Sequence, residues 1–183
     1  MRDVLQVAPD LIGKILVRRL PTGDELRCRI TETEAYRGEE DTGCHAKAGK
    51  TKRTETLYMK GGYTYVYLCY GVHFLVNVVT GAEEQPQAAL IRGVEDCYGP
   101  GRLTKAMQIT KELNAVDLTV SDEIWIEDDG TMPEYVTGKR IGIEYADEHY
   151  RNIEWRFTAP SAVKPKKVIK AKNNAVKREK KRE

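Results

Sequence analysis

Glu25-Leu26-Arg27-Cys28-Arg29-Ile30-Thr31-Glu32-Thr33-Glu34-Ala35-Tyr36 is the stretch on which the fold turns. Leu26, Cys28 and Ile30 alternate with charged residues, the period-two pattern of a strand with one buried face. Ahead of it, Lys14 to Leu20 reads as a strand and Pro21-Thr22-Gly23-Asp24 as a turn, which makes the pair a hairpin. The same period places Glu32 and Glu34 on the face of Ile30 and Tyr36. A carboxylate on an inner face costs free energy unless it is paired or used. Two readings follow: salt-bridged or edge-exposed acids, or a general base at the edge of a cavity with Tyr36 as a wall.

Working outward, Val4 to Ile12 has helical spacing and stops at Gly13. Arg37 to Gly62 is long, polar and rich in Lys, Gly and Thr, which marks a functional or disordered loop. Tyr63 to Tyr70 is dense in aromatic and β-branched residues, and Val72 to Thr80 continues it. The intervening Gly71 suggests a bulge or a close backbone approach. Ala88 to Val94 reads as a buried strand. Gly99-Pro100-Gly101 opens a helix expected through Ile109, with Leu103, Ala106 and Met107 inward. Ile124-Trp125-Ile126, Ile141-Gly142-Ile143 and Trp155 to Thr158 read as later strands. Many strands with hairpin-like connections and two or three helices predict an α+β fold. Its core is a curved, mostly antiparallel β-sheet with a few flanking helices.

The chain has 183 residues, 40% hydrophobic and 32% charged, which suits one globular domain. No run approaches the roughly 18 apolar residues of a membrane span, and no secretory signal is visible. A cytoplasmic, monomeric protein without membrane contact is expected, nucleoid-associated if the source is prokaryotic. Cys28, Cys44, Cys69 and Cys97 form no CxxC pair and read as reduced thiols. The net charge of +2 hides an asymmetry. Residues 164–183 hold ten Lys or Arg against two Glu, so the rest of the chain is net acidic. This divides the chain into a domain over residues 1–160 and a basic, flexible tail over 161–183. Such a tail binds a polyanion or is simply solvated.

Several side chains are candidates for chemistry. Tyr63, Tyr65 and Tyr67 share one strand face, with Tyr70 out of phase at the glycine. They form either an amphipathic strand or a stacking platform for a planar base. Lys47, Lys50, Lys52, Arg53 and Lys60 lie near enough in sequence to contact phosphates. His45, in the polar loop, reads as a packing residue or a ligand contact. The spacing of Cys44, His45, Cys69, His73 and Cys97 matches no usual zinc site, so no metal is expected. Asn77 sits in an apolar strand and needs partners there. Arg92 ends a buried run and reaches either solvent or a polar site.

In this order, the pieces resemble the alkyladenine (3-methyladenine) DNA glycosylase family. The resemblance rests on Asp10-Leu11-Ile12-Gly13-Lys14, Glu32-Thr33-Glu34-Ala35-Tyr36 and Cys44-His45-Ala46. It continues through Tyr65-Val66-Tyr67-Leu68-Cys69-Tyr70-Gly71, His73 to Asn77, Leu90-Ile91-Arg92 and Gly99 to Ala106, and weakens after Ile109. It implies a monofunctional enzyme that flips alkylated or deaminated purines from duplex DNA and hydrolyses the N-glycosidic bond, with no cofactor. By motif, Glu34 activates water and Arg92 orients water and the flipped nucleotide. Tyr36, His45 and Tyr67 sandwich the base, Asn77 filters against guanine, and Tyr70 enters the vacated stack. Lys47, Lys50, Lys52 and Arg53 are expected on the DNA backbone. Departures include Val72 where methionine is more usual, Thr51-Lys52-Arg53 for a Thr-Pro-Arg pattern, and Glu154-Trp155-Arg156-Phe157 for Pro-Leu-Arg-Phe. The competing readings are a damaged-DNA or RNA binding module without catalysis, and a hydrolase for another N-glycoside.

Overall fold

The computed structural model describes residues 2–160; the basic tail expected over 161–183 lies outside the described residues. The chain opens with α1 (Val4–Asp10), whose first turn is capped by the Asp3 carboxylate accepting from the Leu5 amide. The expected hairpin follows as β1 (Ile15–Arg19) and β2 (Glu25–Arg37), paired antiparallel. A long connection leads to β3 (Thr64–Cys69), β4 (His73–Val79), β5 (Gln87–Val94) and β6 (Cys97–Tyr98). Then come α2 (Pro100–Ala106), β7 (Ile124–Glu127), β8 (Val136–Gly138), α3 (Glu148–Asn152) and β9 (Arg156–Thr158). All pairings are antiparallel, in the order β3-β4-β5-β2-β1-β7, with β9 beside β2 and β6 beside β5. This is the α+β class expected from the sequence.

The sheet buries two apolar layers. On one face Ile30, Ala35, Val66, Val76, Ile91 and Val94 pack with α1, α2 and the segment around Ile109 and Leu113. On the other, Tyr65, Val79 and Ala88 pack beneath Cys44, Ala46, Leu57 and Tyr58 of the long connection. That connection is therefore built, with 3-10 turns at His45–Ala48 and Glu55–Tyr58. Its polar composition reflects its outer surface, while its few apolar side chains do the packing.

Strand β2 departs from simple alternation at a decisive point. Ile30 pairs with Val94 and Glu32 with Gly93, so Thr31 is an extra residue on β2; Thr33 then pairs with Ile91, so Arg92 is an extra residue on β5. The two bulges offset each other in register, and each inverts the side-chain phase of its own strand from that point on. Ile30 points into the helix-covered layer, and so do Thr33, which donates to the Ala8 carbonyl of α1, and Ala35. Glu32, Glu34 and Tyr36 keep one face together, as period two requires, but it is the opposite face from that of Ile30. The expected grouping with Ile30 is corrected by the inserted residue.

Three further expectations are corrected. Gly71 marks no bulge: Tyr70 and Gly71, at φ 49° and 69°, are the central residues of a hairpin turn closed by the Val72 amide on the Cys69 carbonyl. Helix α2 ends at Ala106, which is exposed, and the inward side chains are Leu103, Thr104 and Met107. Ala106 falls about 100° round the helix from the centre of the stripe that Leu103, Thr104 and Met107 define, so it faces outward. Residues 141–143 pair with no strand: the Ile141 amide donates to a side chain instead of to a ladder. Strand β8, by contrast, is too short and exposed to leave a hydrophobic pattern.

Helix α2 also backs the hairpin tip. Thr104 donates to the Phe74 carbonyl, and a Cβ on Gly101 would come within 2.7 Å of the His73 ring. Tyr70 projects from this supported tip with 90% of its surface exposed, in a left-handed conformation that costs a non-glycine residue about 1 kcal/mol. Tyr70→Gly is therefore expected to hold or raise the thermal unfolding midpoint. A fall of more than about 4 °C, which is of the order of 1 kcal/mol, would show that the ring stabilises the free fold.

Candidate active site

The candidate residues converge because strand pairing lines them up. Tyr65 pairs with Asn77, Asn77 with Leu90, and Leu90 with Glu34, one transverse row across β3, β4, β5 and β2. At about 4.8 Å per strand the row spans roughly 14 Å. Tyr36 follows two residues after Glu34 on the same face, opposite Ala88. The connection over residues 41–57 and the segment over 141–145 roof this face. Between them lies a cavity of about 1010 Å³, lined among others by Tyr36, His45, Tyr67, Asn77, Arg92 and Tyr145. That volume lies at the upper end of small-molecule pockets.

Glu34 sits beside this cavity with no solvent exposure. Its Oε1 accepts the Ile141 amide at 2.8 Å, and its Oε2 accepts the Tyr36 hydroxyl at 2.9 Å. The Arg92 Nε lies 3.6 Å from Oε1. Burial pushes the carboxyl up from its usual range, while Arg92, the Ile141 amide and the Tyr36 hydroxyl hold it down. Glu32 completes the cluster, accepting from Arg92 Nε at 3.2 Å and Arg156 Nη1 at 3.0 Å. The bulge at Arg92 is what aims its guanidinium at both acids. Of the two readings of the acid pair, Glu32 takes the salt-bridged one. Glu34 is the acid held against cavity-lining groups.

The aromatic groups form a box. The His45 and Tyr67 rings meet edge-on with centroids 4.5 Å apart, and His45 Nδ1 shares a 3.0 Å hydrogen bond with the Tyr65 hydroxyl. Burial, with Arg53 nearby, pushes the His45 imidazole down to about 4, so the ring is neutral at pH 7. Tyr65 is itself buried and supports the box from behind. Asn77 is buried and donates through Nδ2 to the Tyr65 carbonyl at 3.0 Å, which fixes the orientation of the amide.

The basic residues separate. Lys47 and Arg53 line the cavity, and the Arg53 guanidinium lies 5.9 Å from the Tyr67 ring centroid. Lys50 is drawn away to Glu84, and its ammonium lies 5.5 Å from the Tyr58 ring centroid. Lys52 is exposed outside the cavity lining. Tyr70 and Leu68 stand exposed at the cavity mouth.

Sequence reasoning missed Asp41, Arg140, Ile141 and Tyr145. Arg140 and Asp41 form a bidentate ion pair at 2.6 and 2.8 Å with no exposure of either side chain. Ninety-nine positions separate them, and nothing local in either stretch announces the pairing. Ile141 acts through its backbone, which no side-chain pattern reveals.

A family model described as methylpurine-DNA glycosylase (MPG) matches residues 1–97 and 95–162. The chain belongs to the methylpurine-DNA glycosylase family. Several relatives carry the name "Putative 3-methyladenine DNA glycosylase". That of Natranaerobius thermophilus is 44% identical over 180 residues, covering 85% of this chain and 90% of the relative. That of Psychrobacter cryohalolentis is 42% identical over 176 residues, covering 80% and 83%. That of Methanocella arvoryzae is 40% identical over 176 residues, covering 85% of this chain and 87% of the relative. Among the described residues, no helix is long and apolar enough to cross a membrane.

The neutral state of His45 has a measurable consequence. Between about pH 6.5 and 4 the unfolded chain binds a proton at this histidine that the folded chain refuses, so stability falls as pH drops through that window. The wild-type thermal midpoint is expected to fall more steeply from pH 7 to pH 5 than that of His45→Phe. An imidazole signal of His45 titrating near 6.5 by NMR would contradict this.

Proposed function

We propose that this chain is a monofunctional glycosylase that excises alkylated and deaminated purines from duplex DNA with a water activated by Glu34. The substrate class covers 3-methyladenine, as the relatives' names state for those proteins, together with 7-methylguanine, hypoxanthine and ethenoadenine. The observation that carries the reading is the buried Glu34 carboxylate, gripped by Ile141, Tyr36 and Arg92 beside a cavity walled by Tyr36, His45 and Tyr67.

A base inside a duplex is out of reach, so the target nucleotide is extruded at a cost of a few kcal/mol. Tyr70, exposed at a braced hairpin tip, fills the gap and recovers part of that cost. In the cavity the base stacks against Tyr36, Tyr67 and neutral His45, worth about 1–3 kcal/mol per stacked base. Asn77, fixed by its bond to the Tyr65 carbonyl, disfavours the exocyclic amine of guanine. Lys47 and Arg53, with Lys50 and Lys52 further out, meet the phosphates.

Chemistry then breaks the bond from C1′ to the purine nitrogen, and the base leaves with the bonding electrons. The sugar passes through an oxocarbenium-like state, stabilised by the nearby carboxylate. Water adds to C1′ and gives its proton to Glu34. Arg92 orients that water and the flipped nucleotide. Because the carboxylate has no exposure in the free protein, the water enters when Tyr36 or Arg92 shifts to admit the base. A cationic 3-methyladenine leaves neutral; hypoxanthine takes its proton from solvent. The attacking group is water, not an amine, so no strand-cleaving step follows. Among the described residues Lys47 alone of the lysines lines the cavity, and it is exposed. The chain acts as a monomer in the cytoplasm and needs no cofactor.

Duplexes with one hypoxanthine or one ethenoadenine, incubated in chelator, are expected to break only after alkali. Glu34→Gln is expected to lower the single-turnover rate by at least about 10²-fold while retaining binding to the damaged duplex. Cleavage without alkali would refute the monofunctional reading. A Glu34→Gln rate within a few-fold of wild type would remove Glu34 as the base.

A further inference from the structure

We infer that Arg140, locked to Asp41, is the positioning residue that holds the 140–147 segment on β2 and thereby presents the Ile141 amide to Glu34. The inference rests on the reading of Glu34 as the general base and extends it to residues that touch neither base nor sugar.

The geometry is that of a clamp. Arg140 Nη1 donates to the Ala35 carbonyl at 2.9 Å and to Asp41 Oδ2 at 2.6 Å; Nη2 donates to Asp41 Oδ1 at 2.8 Å and the Tyr150 carbonyl at 3.2 Å. Asp41 in turn accepts the amides of Arg37 and Gly43, so its loop is fixed from both sides. Gly43 leaves room for the pair, since a Cβ there would lie 3.1 Å from Arg140 Nη2. Two weaker ties join the same segments: the Tyr145 hydroxyl donates to the Gly43 carbonyl at 2.8 Å, and the Asp147 amide to Thr42 Oγ1 at 3.0 Å.

Arg140 therefore binds the backbone of the residue after Glu34 and carries, as its own next residue, the amide that donates to Glu34. Its guanidinium carbon also lies 4.7 Å from the Tyr36 ring centroid and 5.2 Å from that of Trp155. Tyr36 is the second donor to Glu34. One buried cation thus fixes both donors. An ion pair this deep is expensive to desolvate and gives weak evidence for stability by itself. A requirement to hold the base in place explains its location.

Glu34 faces charged or titratable groups from each neighbouring element: Glu32 and Tyr36 on β2, Arg92 on β5, Arg156 on β9 through Glu32, Tyr67 on β3, and Arg140 itself. Loss of the clamp frees the Ile141 amide and loosens the Tyr36 hydroxyl, both donors to the ionised form, and leaves Arg92 in place. The acid limb of the reaction then moves to higher pH, because a less stabilised carboxylate holds its proton longer.

The test is the pH profile of single-turnover hypoxanthine excision for wild type, Arg140→Lys and Arg140→Met, alongside the Ile141 amide signal in selectively labelled protein. The acid limb is expected to rise by about one unit in Arg140→Met, and by less in Arg140→Lys, which keeps the charge. In wild type the Ile141 amide proton is expected to titrate at the midpoint of that limb and to stop doing so in Glu34→Gln. An unmoved limb in a folded Arg140→Met protein overturns the inference. Should that variant fail to fold, a wild-type Ile141 amide that does not follow Glu34 overturns it equally. If wild type excises nothing, the function proposed above fails, while the amide titration still decides the clamp.

Discussion

Burying a carboxylate is the constraint around which this fold is arranged. Glu34 has no contact with solvent, and an uncompensated charge there would cost several kcal/mol. Each neighbouring element answers that cost. Strand β2 supplies the Tyr36 hydroxyl, β5 the Arg92 guanidinium, and the 140–147 segment a backbone amide. The three act against desolvation without cancelling it, so the carboxyl stays above its usual range. That state, neither fully solvated nor fully neutralised, suits the proton-accepting role proposed for Glu34. The site holds that balance with fixed groups.

The two bulges make this arrangement possible. Were Thr31 a regular strand residue rather than a bulge, strict alternation would send Glu32, Glu34 and Tyr36 into the layer beneath α1, among Ile30, Ala35 and Ile91. Taking Thr31 out of the ladder as a bulge turns all three toward the roofed face, and the compensating bulge at Arg92 aims its cation there. The same face presents Tyr65, Asn77 and Leu90 in register, so Glu34 and the tyrosines of the box are aligned by ladder hydrogen bonds, and the loop residue His45 closes the box from the roof. Sites on strands hold their geometry more tightly than sites on loops.

How much of this is legible in the sequence follows from the same physics. The hairpin of β1 and β2, helix α1 and the strand character of β3 to β5 rest on local periodicity, which the sequence carries openly. The candidate residues were visible as chemical oddities: two acids in a strand, an asparagine in an apolar run, and tyrosines on one face. Their grouping around one cavity needed the cross-strand register, which no single segment encodes. The phase inversion at Thr31 was invisible because a bulge changes which face a residue takes without changing its neighbours in sequence. The hairpin tip was misread because a positive φ at Tyr70 breaks the rule that reserves such turns for glycine and asparagine. Asp41 and Arg140 were out of reach for a different reason: a buried pair between distant loops leaves no periodic trace.

The central claim is that residue 34 and the aromatic box act on one flipped nucleotide. A crystal structure of Glu34→Gln bound to a duplex with a single ethenoadenine tests it most directly. The account predicts the lesion base stacked among Tyr36, His45 and Tyr67, with Tyr70 in the vacated stack. It also predicts a water within hydrogen-bonding distance of both residue 34 and C1′. A lesion left stacked in the duplex, or flipped into the cavity with residue 34 remote from C1′, would contradict it.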